Sequence, residues 1–125
     1  MRAPVVLYVE DDFQNRVLVR RVLEAAGFSV IEAENGFQGM QLAEDLLPDL
    51  ILMDINLPEM DGYEVTSRLK AVTSLADVPI VAMTANVMKG DREKTLAAGC
   101  DGYIQKPIDV DVLPQQIRQF INAKR

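Results

Sequence analysis

Leu50-Ile51-Leu52-Met53-Asp54-Ile55-Asn56-Leu57-Pro58 is the stretch that decides the fold. Its four leading apolar residues are too few for a membrane span and carry no helical stripe. They read as a strand buried on both faces, as in a parallel sheet. The run stops at a carboxylate, and Pro58 and the Met60-Asp61-Gly62 turn follow. In open α/β sheets, chemistry sits at the carboxyl ends of the strands, which is where Asp54 lies. Taken alone, Asp54 is equally what a strand looks like where it reaches water.

Outward from this run, strand-like and helix-like segments alternate five times. Val5-Val6-Leu7-Tyr8-Val9 is a first strand ending in Glu10-Asp11-Asp12. Asp12 is placed to cap a helix that reaches Ala26 and stops at Gly27. Phe28 to Ala33 alternates more, as a strand near the sheet edge does, and Asn35-Gly36 opens a second helix closed by Pro48. After the central strand come a third helix from Tyr63 to about Val72 and a fourth strand from Pro79 to Thr84. A charged fourth helix (Met88 to Ala98), a short fifth strand (Asp101 to Gln105) and a last helix (Asp111 to Ala123, Pro114 in its first turn) complete the chain. Five such units predict a flavodoxin-like (βα)5 α/β sandwich: a parallel five-stranded sheet of order 2-1-3-4-5 with helices on both faces.

At 125 residues the expectation is one domain over 1–125, with no output domain. The net charge of −6 argues against a nucleic-acid or anionic-membrane surface. No run approaches the ~20 apolar residues of a membrane-spanning helix, and Met1-Arg2-Ala3-Pro4 leads straight into a strand, so no signal peptide is expected. The single cysteine, Cys100, cannot form an internal disulfide, which suits a reducing cytoplasm. Beside Gly99 it reads as a small buried hydrophobe. Histidine is absent, which removes the commonest general base and metal ligand.

In the 2-1-3-4-5 order, strands 1, 3 and 4 are neighbours, and their ends carry Glu10-Asp11, Asp54 and Thr84, with Lys106 ending strand 5. Three carboxylates brought within a few ångströms repel strongly at low dielectric, and a cation relieves them. Oxygen-only ligands point to a hard ion, Mg²⁺ or Mn²⁺, that keeps positions open for a phosphate. Lys106 adds a mobile positive charge and Thr84 a hydroxyl donor. Those are the parts that stabilise a transferring phosphoryl group, with Asp54 as the nucleophile. The bland alternative is an acidic rim neutralised by Lys106.

With Val9-Glu10-Asp11, Asp54 to Pro58, Met60-Asp61-Gly62, Thr84-Ala85 and Lys106-Pro107 in place, the chain resembles a response-regulator receiver domain of bacterial two-component signalling over nearly its whole length. The resemblance implies that Asp54 is the phosphoacceptor. Asp11, Asp54 and the backbone carbonyl of Asn56 would bind Mg²⁺ directly, with Glu10 acting partly through water. Lys106 would hold a phosphoryl oxygen, the Lys106-Pro107 bond would be cis, and Ala85 would offer a backbone N–H. It further implies a switch in which Thr84 moves and Tyr103 turns inward, changing the face of the fourth helix, fifth strand and fifth helix. Asn56 and Asn86 would tune dephosphorylation. The Met88-Lys89-Gly90-Asp91 and Gly99-Cys100 stretches resemble single-domain, DivK-type regulators, and also receivers joined to hybrid kinases or diguanylate cyclases.

On the first helix, Asn15, Val19, Val22, Leu23 and Ala26 make a core stripe, while Val17 and Leu18 spill beyond it beside Arg16 and Arg20. Asn15, Arg16 and Leu18, with Pro107 and Ile108, are the expected docking residues for a histidine kinase or histidine phosphotransfer protein. The implied output is contact with a downstream protein, without catalysis beyond self-phosphorylation and slow autodephosphorylation. Other readings fare worse. A haloacid-dehalogenase-type phosphatase needs a second Asp where Asn56 stands, and a nucleotide binder needs a Gly-rich loop where Glu10-Asp11-Asp12 stands. A pseudo-receiver that binds partners without phosphorylation is excluded only by assay.

Overall fold

β3 (Leu50–Asp54) is buried along its whole length, as its unbroken apolar run requires. It lies between β1 (Val5–Val9) and β4 (Ile80–Thr84) at the centre of one parallel sheet. β2 (Ser29–Ala33) and β5 (Gly102–Gln105) form the edges, giving the order β2-β1-β3-β4-β5. The alternating strand is thus an edge strand. The computed structural model describes residues 2–85 and 89–123, and the side chains of all of these except 89–92.

Because successive side chains of a strand point to opposite faces, the sheet has two cores. On one face Leu7, Val9, Ile51, Met53, Ile80 and Ala82 pack with Ala43 of α2 (Gly36–Leu46) and with Val65 and Leu69 of α3 (Gly62–Lys70). Cys100, which follows α4 (Lys89–Ala97), is buried in this core as a small hydrophobe. On the other face Val6, Tyr8, Leu50, Leu52, Val81, Met83 and Ile104 pack with Val19 and Leu23 of α1 (Phe13–Ala25) and with Leu113, Ile117 and Ile121 of α5 (Leu113–Ala123).

The helix ends follow local chemistry. Asp12 caps α1 by accepting from the Gln14 and Asn15 amides, and Gly27 takes up the left-handed φ of +97° just past its end. Asn35 caps α2 through the Gln38 amide. Two boundaries differ from expectation by more than one residue. The third helix stops at Lys70, and Thr73–Leu75 forms a separate 3-10 turn that drops Leu75 into the core. The last helix begins at Leu113, because the Asp109 side chain and carbonyl take the Asp111, Val112 and Leu113 amides and hold the preceding residues in a turn.

Candidate functional site

Strand periodicity builds the site. Tyr8 and Glu10 are two residues apart, so both side chains leave β1 toward the α1/α5 face, as Asp54 does after Leu50 and Leu52 on β3. Lys106, two residues past Ile104, approaches from the end of β5 on that same side. Both carboxylates are buried. One ligand oxygen each from Glu10, Asp11 and Asp54 lie within 4.8 Å of one another. Lys106 Nζ stands 3.0 Å from Glu10 Oε1 and 3.4 Å from Asp54 Oδ1. The Asn56 amide donates to Asp54 Oδ1 at 3.0 Å. Gly62, at the start of α3, fixes the loop behind Asp54. A Cβ there would sit 2.4 Å from the Asp54 carbonyl oxygen and 2.7 Å from the Ile55 Cα, so any larger residue displaces the strand end.

The charge balance is uneven. Burial, then the hydrogen-bonded Glu10 carboxylate, raises the Asp54 carboxyl to about 7. Burial also works to raise Glu10, but hydrogen bonds from Asp54, Lys106 and Tyr8 outweigh it and hold Glu10 down at about 2. Burial works to lower the Lys106 ammonium, yet its hydrogen bond to Glu10 and the Asp54 charge carry it above its usual value. Burial and the nearby Glu10 push the Tyr8 phenol upward, so it remains a hydrogen-bond donor. One ammonium facing three carboxylates leaves the cluster net negative. An all-oxygen donor set with excess negative charge fits a hard divalent cation, with Glu10, Asp11 and Asp54 as the groups that would hold it.

A cleft of ≈ 680 Å³ opens beside this cluster, and Asn56, Thr84 and Ala85 line it together with Met60, Tyr63 and Lys94. Asn86 lies outside the described residues. Tyr103, on the edge strand, is 37% exposed and faces outward. The Lys106–Pro107 peptide bond is cis. Pro107 is exposed, whereas Ile108 is half-buried against the α1/α5 core.

The first helix required one correction. Arg16, expected on a docking surface, is buried. Its Nη1 donates to the Glu10 carbonyl at 2.7 Å, and its guanidinium lies 3.5 Å from Glu32 and 3.6 Å from Glu34. The paired acidic residues on and after β2 supply the compensation that a buried guanidinium requires. The exposed apolar surface of α1 instead runs through Phe13 and Leu18. Asn15 is half-buried with its Nδ2 3.2 Å from Glu10 Oε1, and the Tyr8 hydroxyl donates to the same oxygen at 3.0 Å. Sequence reading missed Tyr8, and it placed Gly62 in a turn without its close approach to the Asp54 carbonyl. The two-residue offset from Glu10 was the available signal for Tyr8.

Comparison with known proteins agrees with this geometry. The response regulator receiver domain model matches residues 6–118. The polar-differentiation response regulator DivK of Brucella anthropi is 44% identical over 116 residues, covering 93% of this chain and 94% of DivK. Among solved structures, the receiver domain of sensor histidine kinase PA1611 from Pseudomonas aeruginosa has a TM-score of 0.89 at 36% identity, covering 96% of this chain and 98% of that one. Its active-site cleft holds a coordinated magnesium ion. The chemotaxis protein CheY4 of Vibrio cholerae superposes with a TM-score of 0.91 at 25% identity, covering 94% and 98%. With its sheet order, its acidic cluster and a family match over 6–118, the chain belongs to the response regulator receiver domains of bacterial two-component systems.

Proposed function

We propose that this receiver accepts a phosphoryl group on Asp54 from a phosphohistidine donor in a Mg²⁺-dependent reaction, and passes the signal on through protein–protein contact. The observation that carries this reading is one buried aspartate sharing a 4.8 Å cluster with two further carboxylates, with an ammonium 3.4 Å away. An Asp54 carboxylate oxygen attacks phosphorus; the P–N bond breaks, its electron pair stays on the imidazole nitrogen, and an acyl phosphate forms. Glu10, Asp11, Asp54 and the Asn56 carbonyl would hold Mg²⁺, or Mn²⁺ in its place, which would supply positive charge where phosphoryl oxygens gather. Lys106 Nζ, which already spans Glu10 and Asp54, pairs with a phosphoryl oxygen. The Thr84 hydroxyl and the Ala85 N–H donate to the remaining oxygens from the adjoining cleft.

Catalysis is limited to this self-phosphorylation and slow autodephosphorylation, tuned by the side chains at Asn56 and Asn86. Thr84 and Tyr103 switch the α4/β5/α5 face toward a downstream protein. A groove of ≈ 250 Å³ on α1, lined by Phe13, Gln14, Val17, Leu18 and Arg21, supports docking of a histidine kinase or phosphotransfer protein there, beside Asn15, Pro107 and Ile108. The net charge of −6 supports protein partners over nucleic acid or a membrane surface. Among the described residues no helix is long and apolar enough to cross a membrane. The lone buried cysteine supports a cytoplasmic location.

Intact-mass spectrometry after incubation with acetyl phosphate tests the chemistry. The expected result is one phosphoryl adduct with Mg²⁺, none with EDTA and none in Asp54→Asn. An adduct that survives Asp54→Asn would overturn the choice of nucleophile.

A further inference from the structure

Tyr8 is wholly buried and carries a hydroxyl, which costs free energy in a core unless it is bonded. Its partner is Glu10 Oε1 at 3.0 Å, and that oxygen also accepts from Asn15 Nδ2 at 3.2 Å and Lys106 Nζ at 3.0 Å. Three donors saturate one carboxylate oxygen. The backbone of Glu10 is held as well: its N–H donates to the Ala33 carbonyl at 2.9 Å, and its own carbonyl accepts from Arg16 at 2.7 Å. Oε2 takes none of these three donors; the Asp12 amide reaches it only at a long 3.5 Å.

We propose that Tyr8 and Asn15 are positioning residues for the divalent cation: by saturating Oε1 they lock the Glu10 carboxylate in the orientation that presents Oε2 toward the site it shares with Asp11 and Asp54. This rests on the reading that the cluster takes Mg²⁺. Neither residue touches the cation; both act through Glu10. A flexible glutamate would lose side-chain entropy on binding, and the two donors remove that loss before the ion arrives. Lys106 cannot do this alone, because it is also 3.4 Å from Asp54 and is drawn toward that group.

The test is a calorimetric titration of the unphosphorylated protein with MgCl₂, with unfolding midpoints in EDTA as the check on folding. Tyr8→Phe removes one oxygen from the core and is expected to weaken Mg²⁺ binding about tenfold. Asn15→Ala is expected to weaken it about threefold. In a Glu10→Ala background, Tyr8→Phe is expected to change nothing further, the coupling that separates positioning from general packing. Affinities within twofold of wild type in both single variants would overturn the inference. So would a Tyr8→Phe loss that persists in full without Glu10. Should Tyr8→Phe fail to fold, Asn15→Ala on the half-buried face of α1 decides by the same coupling. Wild-type protein that binds no Mg²⁺ would overturn the metal reading itself, an outcome distinct from unchanged variants.

Discussion

Lys70 and Lys106 each hold a carboxylate at about the same distance, at opposite rims of one sheet. Lys70 Nζ lies 2.9 Å from Asp101 Oδ2 and Lys106 Nζ 3.0 Å from Glu10 Oε1, with lysine side chains 18% and 20% exposed. Their surroundings differ. Lys70 meets one carboxylate and donates also to the Val78 carbonyl at 2.8 Å, while Asp101 Oδ2 accepts from the Ile80 amide at 2.8 Å. That pair is neutral, and it ties α3 to the starts of β4 and β5. Lys106 meets Glu10 and Asp54 at once, with Asp11 close by, and leaves its rim net negative. A satisfied pair serves the fold. A cluster of three carboxylates around one ammonium gives up stability in the free protein and regains it from a ligand.

The largest effect that sharpens this contrast is on pH dependence. In the metal-free protein Asp54 is held at about 7 against an ordinary 3.8, so the folded state keeps a proton that the unfolded chain releases. Its contribution to stability is complete below about pH 4 and is lost as pH rises through 7, with a slope approaching about 1.4 kcal/mol per pH unit. Glu10, held at about 2 against 4.5, works the other way: its contribution is present above its ordinary value and is lost as pH falls toward 2. Urea unfolding in EDTA is therefore expected to show a maximum near about pH 4 and a decline toward pH 8. Saturating Mg²⁺ is expected to remove the decline.

Next in size, Asp11→Ala is expected to weaken Mg²⁺ binding about a hundredfold, at or beyond the loss typical of outer partners. Its stability in EDTA should stay within about 0.5 kcal/mol of wild type, since Asp11 is exposed. Asp101→Asn reverses the pattern: a loss of about 1.5 kcal/mol by urea unfolding, from a partly exposed pair, with Mg²⁺ affinity unchanged. A shift in its Mg²⁺ titration would break the separation between the two rims. Glu34→Ala is the smallest, within about 0.5 kcal/mol, because Glu34 is 70% exposed where it meets Arg16 at 3.6 Å.

Much of this was legible in the sequence for physical reasons. The apolar run of β3, the caps at Asp12 and Asn35 and the stop at Gly27 are local signals, and the strand order follows from four crossovers of similar length. Sequence order alone also brings Glu10, Asp11, Asp54 and Lys106 to one rim once the sheet is parallel. Arg16 was misread because its burial depends on Glu32 and Glu34, which stand on or beside another strand, and no helical stripe encodes that pairing. The role of Gly62 was hidden because it is a matter of clearance, since only the folded chain brings it against the Asp54 carbonyl. The 3-10 turn at Thr73–Leu75 reflects the demand of one buried leucine over local helix propensity.

The most direct measurement is the unfolding midpoint of Asp54→Asn against wild type in EDTA at about pH 8, above the value to which Asp54 is raised. Removing the charge relieves the repulsion while the amide oxygen still accepts from the Asn56 N–H, so the variant is expected to be more stable than wild type and to gain little from added Mg²⁺. A variant less stable than wild type, as Asp101→Asn is expected to be, would contradict the account and make Asp54 an ordinary member of a structural ion-pair network.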